Sequence, residues 1–149
     1  MQRNVSRMNR TSTQDAPPIS FARWTARVLG VVFAMVAVLG YVGGRDVLGL
    51  VPTNPAHSTL HLLTGLGLLL AGFTGEAASR LACWLGALAY GLIGLLGLAG
   101  VAGVTAALNL NVAWMWLYLA LAIGWIAVAG VSQSLAHSRY RARAARRPA

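Results

Sequence analysis

Apolar residues in this chain are grouped in long blocks, without the alternating or 3.6-residue spacing typical of water-facing strands and helices. Between Leu81 and Ser138, fifty-eight consecutive residues include no Asp, Glu, Lys or Arg. As one helix this stretch would be about 87 Å long, nearly three times the thickness of a bilayer core. It must therefore fold back on itself, and Asn109-Leu110-Asn111 is the predicted turn.

The pattern predicts four membrane crossings, since each passage through an apolar core about 30 Å thick takes about 20 helical residues. Pro52-Thr53-Asn54-Pro55 interrupts the sequence between the first two, and paired prolines end a helix. The first block lacks a small-residue cleavage pattern, so it is interpreted as a retained anchor rather than a signal peptide. The predicted fold class is an all-α membrane protein with a transmembrane domain at 21–132 and spans at about 24–44, 56–75, 81–101 and 112–131.

Charge is scarce and confined to the tails and the span ends. The 149 residues are 57% hydrophobic and 10% charged, against roughly 25% charged in soluble domains. Eleven of the twelve arginines fall in the N-terminal segment, the second loop and the C-terminal tail, and only Arg45 falls in the other two loops. By the positive-inside rule, this asymmetry predicts that both termini are cytoplasmic.

Both tails are polar and basic. Residues 1–20 are expected to be disordered, and residues 133–149 to continue the fourth span as a basic cytoplasmic helix or to fray. The net charge of +9 is not taken to indicate nucleic acid, because the arginines flank apolar blocks. The predicted partner is anionic lipid at the cytoplasmic face, which would meet the C-terminal residues Arg139, Arg141, Arg143, Arg146 and Arg147.

The two halves of the chain align with an offset of 57 residues. The shift places Arg23 on Arg80, Asn54 on Asn111 and His61 on Tyr118. Further matches along the same offset are Gly40 with Gly97, Ala56 with Ala113, Leu60 with Leu117 and Gly67 with Gly124. Because the repeat unit is a hairpin of two spans, both copies run in the same direction, as a parallel repeat about an axis along the membrane normal.

One segment resembles a known family. Gly49-Leu50-Val51-Pro52-Thr53-Asn54-Pro55-Ala56-His57, followed by Leu60-His61-Leu62-Leu63 and Gly65, is similar to the signature of the bacterial four-span family catalogued as domain of unknown function four-three-eight-three. The resemblance covers about residues 21–130, and the Asn-Pro-Ala-His turn with its second histidine is its specific part. It implies four spans and a multi-pass location in the bacterial cytoplasmic membrane, and it brings no activity with it.

His57 and His61 are the sharpest candidates for chemistry. They lie four residues apart at the start of the second span, so they project from one helical face about one turn apart. Two imidazoles at that spacing can hold one metal ion. In the structural alternative they shape the turn, with His57 bonding backbone near Pro55. A closed zinc site needs more ligands, and a bis-histidine haem needs ligands on opposite faces, whereas the third histidine, His137, lies at the far end of the fourth span.

Two other features allow a structural or a functional interpretation. Arg45, Asn54 and His57 would form a polar cluster if the largely apolar 43–55 loop folds back over the bundle; otherwise Arg45 lies in a solvated turn. Glycines recur every third residue from Gly91 to Gly103, which predicts a central third span approached by more than one neighbour. The functional alternative for that span is a flexible helix suited to transport.

The leading hypothesis is a non-enzymatic membrane component that packs against lipid or other membrane proteins, including as a homo-oligomer. No cofactor is expected under it. The sequence has no phosphate-binding loop, no nucleophile with a base and orienting acid, and no Asp or Glu within a span. Two alternatives stay open: a metal- or haem-binding module using His57 and His61, and a small transporter of an uncharged solute, which the parallel repeat suggests.

Overall fold

The computed structural model describes residues 20–49 and 51–145, in which four long helices account for most of the chain. The elements in chain order are α1 (Phe21–Gly43), β1 (Asp46–Val47), β2 (Val51–Pro52), α2 (Pro55–Thr74), α3 (Glu76–Leu98), α4 (Ala102–Leu108) and α5 (Val112–Ala145). Helices α1, α2, α3 and α5 are each long and apolar enough to cross a membrane. The predicted all-α, four-span membrane protein is confirmed. The predicted disordered segment lies, but for Ser20, outside the described residues.

The ends of α3 and α5 differ most from the predicted spans. Helix α3 begins at Glu76, five residues before the predicted start, and its first turn includes an ion pair between Glu76 and Arg80 with N and O 3.2 Å apart. Helix α5 runs on to Ala145, so its final residues take the helical alternative for the C-terminal segment. At 34 residues, α5 is about 51 Å long, and it therefore extends well beyond a bilayer core about 30 Å thick.

Three short elements that were not predicted, two strands and one helix, close one end of the bundle, called here the loop end. Strands β1 and β2 pair antiparallel, with Asp46 opposite Pro52 and Val47 opposite Val51. Val47 and Thr53 are buried, so this loop lies back on the helices. Helix α4 covers the other side and ends at Asn109, which adopts the left-handed conformation with φ 51°. The opposite end, with the Gly75 turn, is called the tail end.

The long helices form two hairpins, α1 with α2 and α3 with α5, and the hairpins share one pattern of burial. The buried residues of α1 are Ala22, Ala26, Gly30, Phe33, Ala37 and Gly40. Those of α3 are Ser79, Cys83, Ala87, Tyr90, Gly94 and Gly97, each 57 residues further on. The sequence repeat is therefore matched in the structure, because α1 and α3 bury the same repeat positions.

Glycines bring the helices of each hairpin close together. A Cβ atom on Gly65 of α2 would lie 2.7 Å from the backbone nitrogen of Ala34 and 2.8 Å from the carbonyl oxygen of Gly30. In the second hairpin, a Cβ on Gly94 would lie 3.0 Å from Leu119, and one on Gly97 would lie 2.9 Å from Met115. The glycines of α3 thus face one neighbour, α5, because Gly100 and Gly103 lie beyond α3 and the remaining glycine series is too short to wind around the helix. The helix itself contacts α1 and α2 as well as α5, so the prediction of a third span approached by more than one neighbour is confirmed.

Candidate functional site

The first turn of α2 directs two histidines into the bundle. Asn54 caps the helix, its Oδ1 accepting a hydrogen bond of 2.8 Å from the backbone N–H of His57, and Pro55 occupies the first helical position. One turn later His61 projects from the same face. His57 is 0% exposed and His61 4% exposed, and their Nε2 atoms are 2.9 Å apart.

A tyrosine from the other hairpin completes a triangle of polar atoms with the two histidines. Tyr118 of α5 is fully buried, and its hydroxyl oxygen lies 2.5 Å from Nε2 of His57 and 3.2 Å from Nε2 of His61. Three side-chain atoms that can each accept a hydrogen bond or bind a metal ion therefore converge inside the membrane domain.

The protons available to this triangle do not satisfy all of its atoms. Nδ1 of His57 lies 2.8 Å from the Leu108 carbonyl oxygen, so it carries the proton, and Nε2 offers a lone pair that accepts from the Tyr118 hydroxyl. His61 then has two tautomers. With its proton on Nε2, Nδ1 is a buried acceptor without a partner among the described residues; with its proton on Nδ1, that donor is unpaired and two Nε2 lone pairs face each other.

Aromatic rings enclose the triangle. The Trp114 ring centroid lies 4.6 Å from that of His57, and the Trp114 Nε1–H donates a 2.7 Å hydrogen bond to the Pro52 carbonyl oxygen. On the tail side, the Phe33 ring lies 5.1 Å from His61 and the Tyr90 ring 4.7 Å from Tyr118. His57, His61 and Tyr118 are buried among these rings, so their polar atoms interact with one another.

The cluster is built from pairs that the 57-residue repeat relates. His57 lies against Trp114, and His61 lies against Tyr118 with ring centroids 6.0 Å apart. Phe33 and Tyr90, also 57 residues apart, meet edge to face at 5.4 Å. A pseudo-two-fold axis along the bundle explains this arrangement, because residues beside such an axis face their own counterparts. The histidines alone were singled out in the sequence; aligning His61 with Tyr118 was the signal that could have found the third member.

Of the predicted polar cluster, the structure brings Asn54 and His57 together but leaves the Arg45 side chain exposed. Arg45 contributes its carbonyl, which accepts a 2.9 Å hydrogen bond from the backbone N–H of Thr53. Asn54 Nδ2 donates to the Ala107 carbonyl at 2.9 Å. The His57 ring binds backbone of the α4 segment at Leu108, in the opposite hairpin, instead of backbone near Pro55.

The basic C-terminal residues are only partly described. Arg141 is exposed on the last turns of α5, and His137 is exposed on the same helix, far from the triangle. The side chains of Arg139 and Arg143 are not described, and Arg146 and Arg147 lie outside the described residues.

Two apolar clefts open on the sides of the bundle, where one hairpin meets the other. The first, between α2 and α3, has a volume of about 390 Å³ and includes Gly67 in its lining. The second, between α5 and α1, has a volume of about 290 Å³ and includes Gly124, the repeat counterpart of Gly67. Apart from the neighbouring backbone of its own helix, no described atom lies within 4 Å of a Cβ built on either glycine, so both open onto the surroundings of the bundle.

The family model described as Domain of unknown function (DUF4383) matches residues 23–131. No curated protein and no solved structure matches the chain.

Proposed function

This chain belongs to the family described as Domain of unknown function (DUF4383), and we propose that it is a non-enzymatic component of the bacterial cytoplasmic membrane that packs against other membrane helices, in the first place those of a second copy of itself. It is a multi-pass membrane protein by its four apolar helices, and the resemblance noted from the Asn-Pro-Ala-His turn is confirmed by the family match. The finer role rests on the surface that these helices present to lipid.

The observation that carries the proposal is a face of small residues on α5. Ala120, Gly124 and Ala127 are all exposed, and they lie at four- and three-residue spacing on one side of the helix. In lipid, where apolar surface is already solvated, helices associate through small residues that let backbones approach closely. Inside the molecule, Gly94 and Gly97 already serve this purpose between α3 and α5. The outside of α5 therefore has a similar surface of small residues, and none of the described helices packs against it.

The cleft beside this face gives a partner helix a concave surface. It is lined by Ala120 and Gly124 of α5 together with Leu29 of α1. A helix lying there would bury leucine side chains on one side and meet bare backbone at Gly124 on the other. This combination favours close van der Waals packing over a loose lipid contact.

The distribution of arginine supports an orientation with the tail end in the cytoplasm. Arg23 and Arg27 both donate from Nε to the Gly72 carbonyl, at 3.2 and 3.1 Å, so they bind the last turn of α2 at the tail end. Arg80 lies in the first turns of α3 and Arg141 in the last turns of α5. Anionic headgroups on that side would meet these residues and the basic C-terminal tail.

Crosslinking in native membranes tests the packing role. The wild-type chain is expected to give a crosslinked dimer, and Gly124→Leu is expected to reduce it strongly because the new side chain occupies the space that the partner helix needs. Gly67→Leu makes the same change at the repeat counterpart in the other cleft and should leave the dimer intact. A wild-type chain that stays monomeric and captures no neighbouring membrane protein would overturn the proposal.

A further inference from the structure

We propose that His57 Nε2, His61 Nε2 and the Tyr118 hydroxyl oxygen form a binding site for a divalent transition metal ion, with copper(II) as the ion that such donors bind most tightly. This inference goes beyond the packing role and does not depend on it. Among the described residues no three of His, Cys, Asp and Glu are grouped as a metal-ligand set. A tyrosine from the opposite hairpin is what completes the pair of histidines.

The donor atoms and their orientation suit a metal. Imidazole nitrogen binds copper, zinc, nickel and iron, and the phenolate oxygen adds a negative charge to the set. His57 is held by its Nδ1–H bond of 2.8 Å to the Leu108 carbonyl. A backbone carbonyl on one ring nitrogen fixes the ring and directs the lone pair of the other nitrogen, as metal-binding histidines require.

The three donor atoms are close enough together for one ion to contact all of them. With ligands about 2.0–2.1 Å from an ion, two donors lie about 2.9 Å apart at a right angle and about 3.3–3.4 Å apart at the tetrahedral angle. The three observed separations are 2.9, 2.5 and 3.2 Å, which are the lengths of the hydrogen bonds that join these atoms. Small side-chain shifts would therefore bring all three atoms to the separations that coordination requires.

Copper(II) follows from intrinsic affinity. It binds a given set of nitrogen and oxygen donors more tightly than the other divalent ions of the first transition row. On binding, the Tyr118 O–H bond is replaced by an oxygen–copper bond, and the proton leaves to water. The ion also lies between the two Nε2 lone pairs that otherwise face each other when the His61 proton is on Nδ1.

The test is a titration of the purified full-length chain, freed of metal, with copper(II) chloride. The wild type is expected to bind one copper ion per chain, with an electron paramagnetic resonance spectrum showing two nitrogen ligands and a visible phenolate-to-copper absorption band. Tyr118→Phe keeps the ring in place and should abolish that band and weaken binding by about tenfold or more. His61→Gln should likewise weaken binding and leave one nitrogen ligand in the spectrum.

His137→Ala is the matched control, because it removes an exposed histidine outside the triangle and should leave stoichiometry and spectrum unchanged. Helix content by circular dichroism, measured on every variant, separates loss of the site from loss of the fold. The proposal is overturned if the wild type binds no copper, if folded Tyr118→Phe and His61→Gln bind it as tightly as wild type, or if His137→Ala removes it. Tighter binding of zinc than of copper would contradict the assignment of the ion.

Discussion

His57 and Trp114 exchange hydrogen bonds between the two hairpins in opposite directions. The ring of His57, on α2, donates to the Leu108 carbonyl just before α5 at 2.8 Å, and the ring of Trp114, on α5, donates to the Pro52 carbonyl just before α2 at 2.7 Å. The two residues are 57 positions apart and occupy the first turns of their helices. The loop end is therefore held by reciprocal contacts in which each hairpin binds the loop of the other.

Loss of one of these contacts should destabilise the fold. In Trp114→Phe the aromatic packing is largely kept, but the Pro52 carbonyl loses its donor. Leaving a partly buried acceptor unpaired costs about 1–3 kcal/mol. SDS-induced unfolding followed by circular dichroism measures the change. Trp116→Phe is the control: Trp116 is 60% exposed two residues further on, and its substitution should change the unfolding midpoint little. Equal effects of the two substitutions would contradict the role assigned to Trp114.

The close approach of α1 and α2 predicts that Gly65 tolerates no side chain. In Gly65→Ala the new Cβ would lie within 2.8 Å of two backbone atoms of α1, which cannot move without separating the helices. Overpacking of this kind costs about 1–3 kcal/mol. Gly67→Ala, on the same helix but facing open space, should be neutral or stabilising by up to about 1 kcal/mol, because alanine favours the helix. In thermal unfolding, the midpoint temperature of Gly65→Ala should fall, and that of Gly67→Ala should rise or stay unchanged.

The two asparagine caps are equivalent by the repeat but not by their contacts. Asn54 accepts from His57 N–H and also donates to the Ala107 carbonyl, whereas Asn111 accepts from Trp114 N–H at 3.0 Å. Both alanine substitutions lose a cap, worth about 1 kcal/mol. Asn54→Ala should cost about 1 kcal/mol more, because it also breaks a contact between the hairpins. A larger loss of unfolding free energy in Asn111→Ala would show that the inter-hairpin contact contributes little.

The proposed orientation, with the tail end in the cytoplasm, predicts which residues an impermeant thiol reagent reaches in intact cells. The native thiol, Cys83, is buried and would first be removed as Cys83→Ala. In that background, Leu48→Cys, at an exposed position of the loop end, should be labelled from outside. Ala77→Cys, exposed at the tail end, should be labelled only after the cells are opened. The reverse pattern would place the loop end in the cytoplasm.

The four spans could be predicted because the constraint that defines them is strong: an apolar helix in lipid must be long enough to cross it. The ends of the helices were harder to predict. The charges of Glu76 and Arg80 suggested a loop, yet they pair within the first turn of α3. Helix α4 could not be distinguished from the end of a span, since Ala102–Leu108 is as apolar as its surroundings and is separated from α3 by Gly100, whose φ is 76°.

The candidate site was predictable only in its local part. His57 and His61 were evident because four-residue spacing brings side chains together on any helix. Tyr118, Trp114 and Tyr90 come from the other hairpin, and no local pattern relates a tyrosine in one span to a histidine in another. The repeat carried that information, since it aligned His61 with Tyr118, but using it requires knowing that both residues face the axis.

Although the same positions are buried in both hairpins, the side chains between the paired helices differ in volume. Gly30 and Gly65 place only backbone between α1 and α2, whereas their counterparts Ala87 and Ala122 each place a buried methyl group in the second hairpin. Residues are consequently not interchangeable between the halves one at a time. A chimaera in which one half is rebuilt from the other would have to transplant such positions as matched pairs, together with the interhelical distance that suits them.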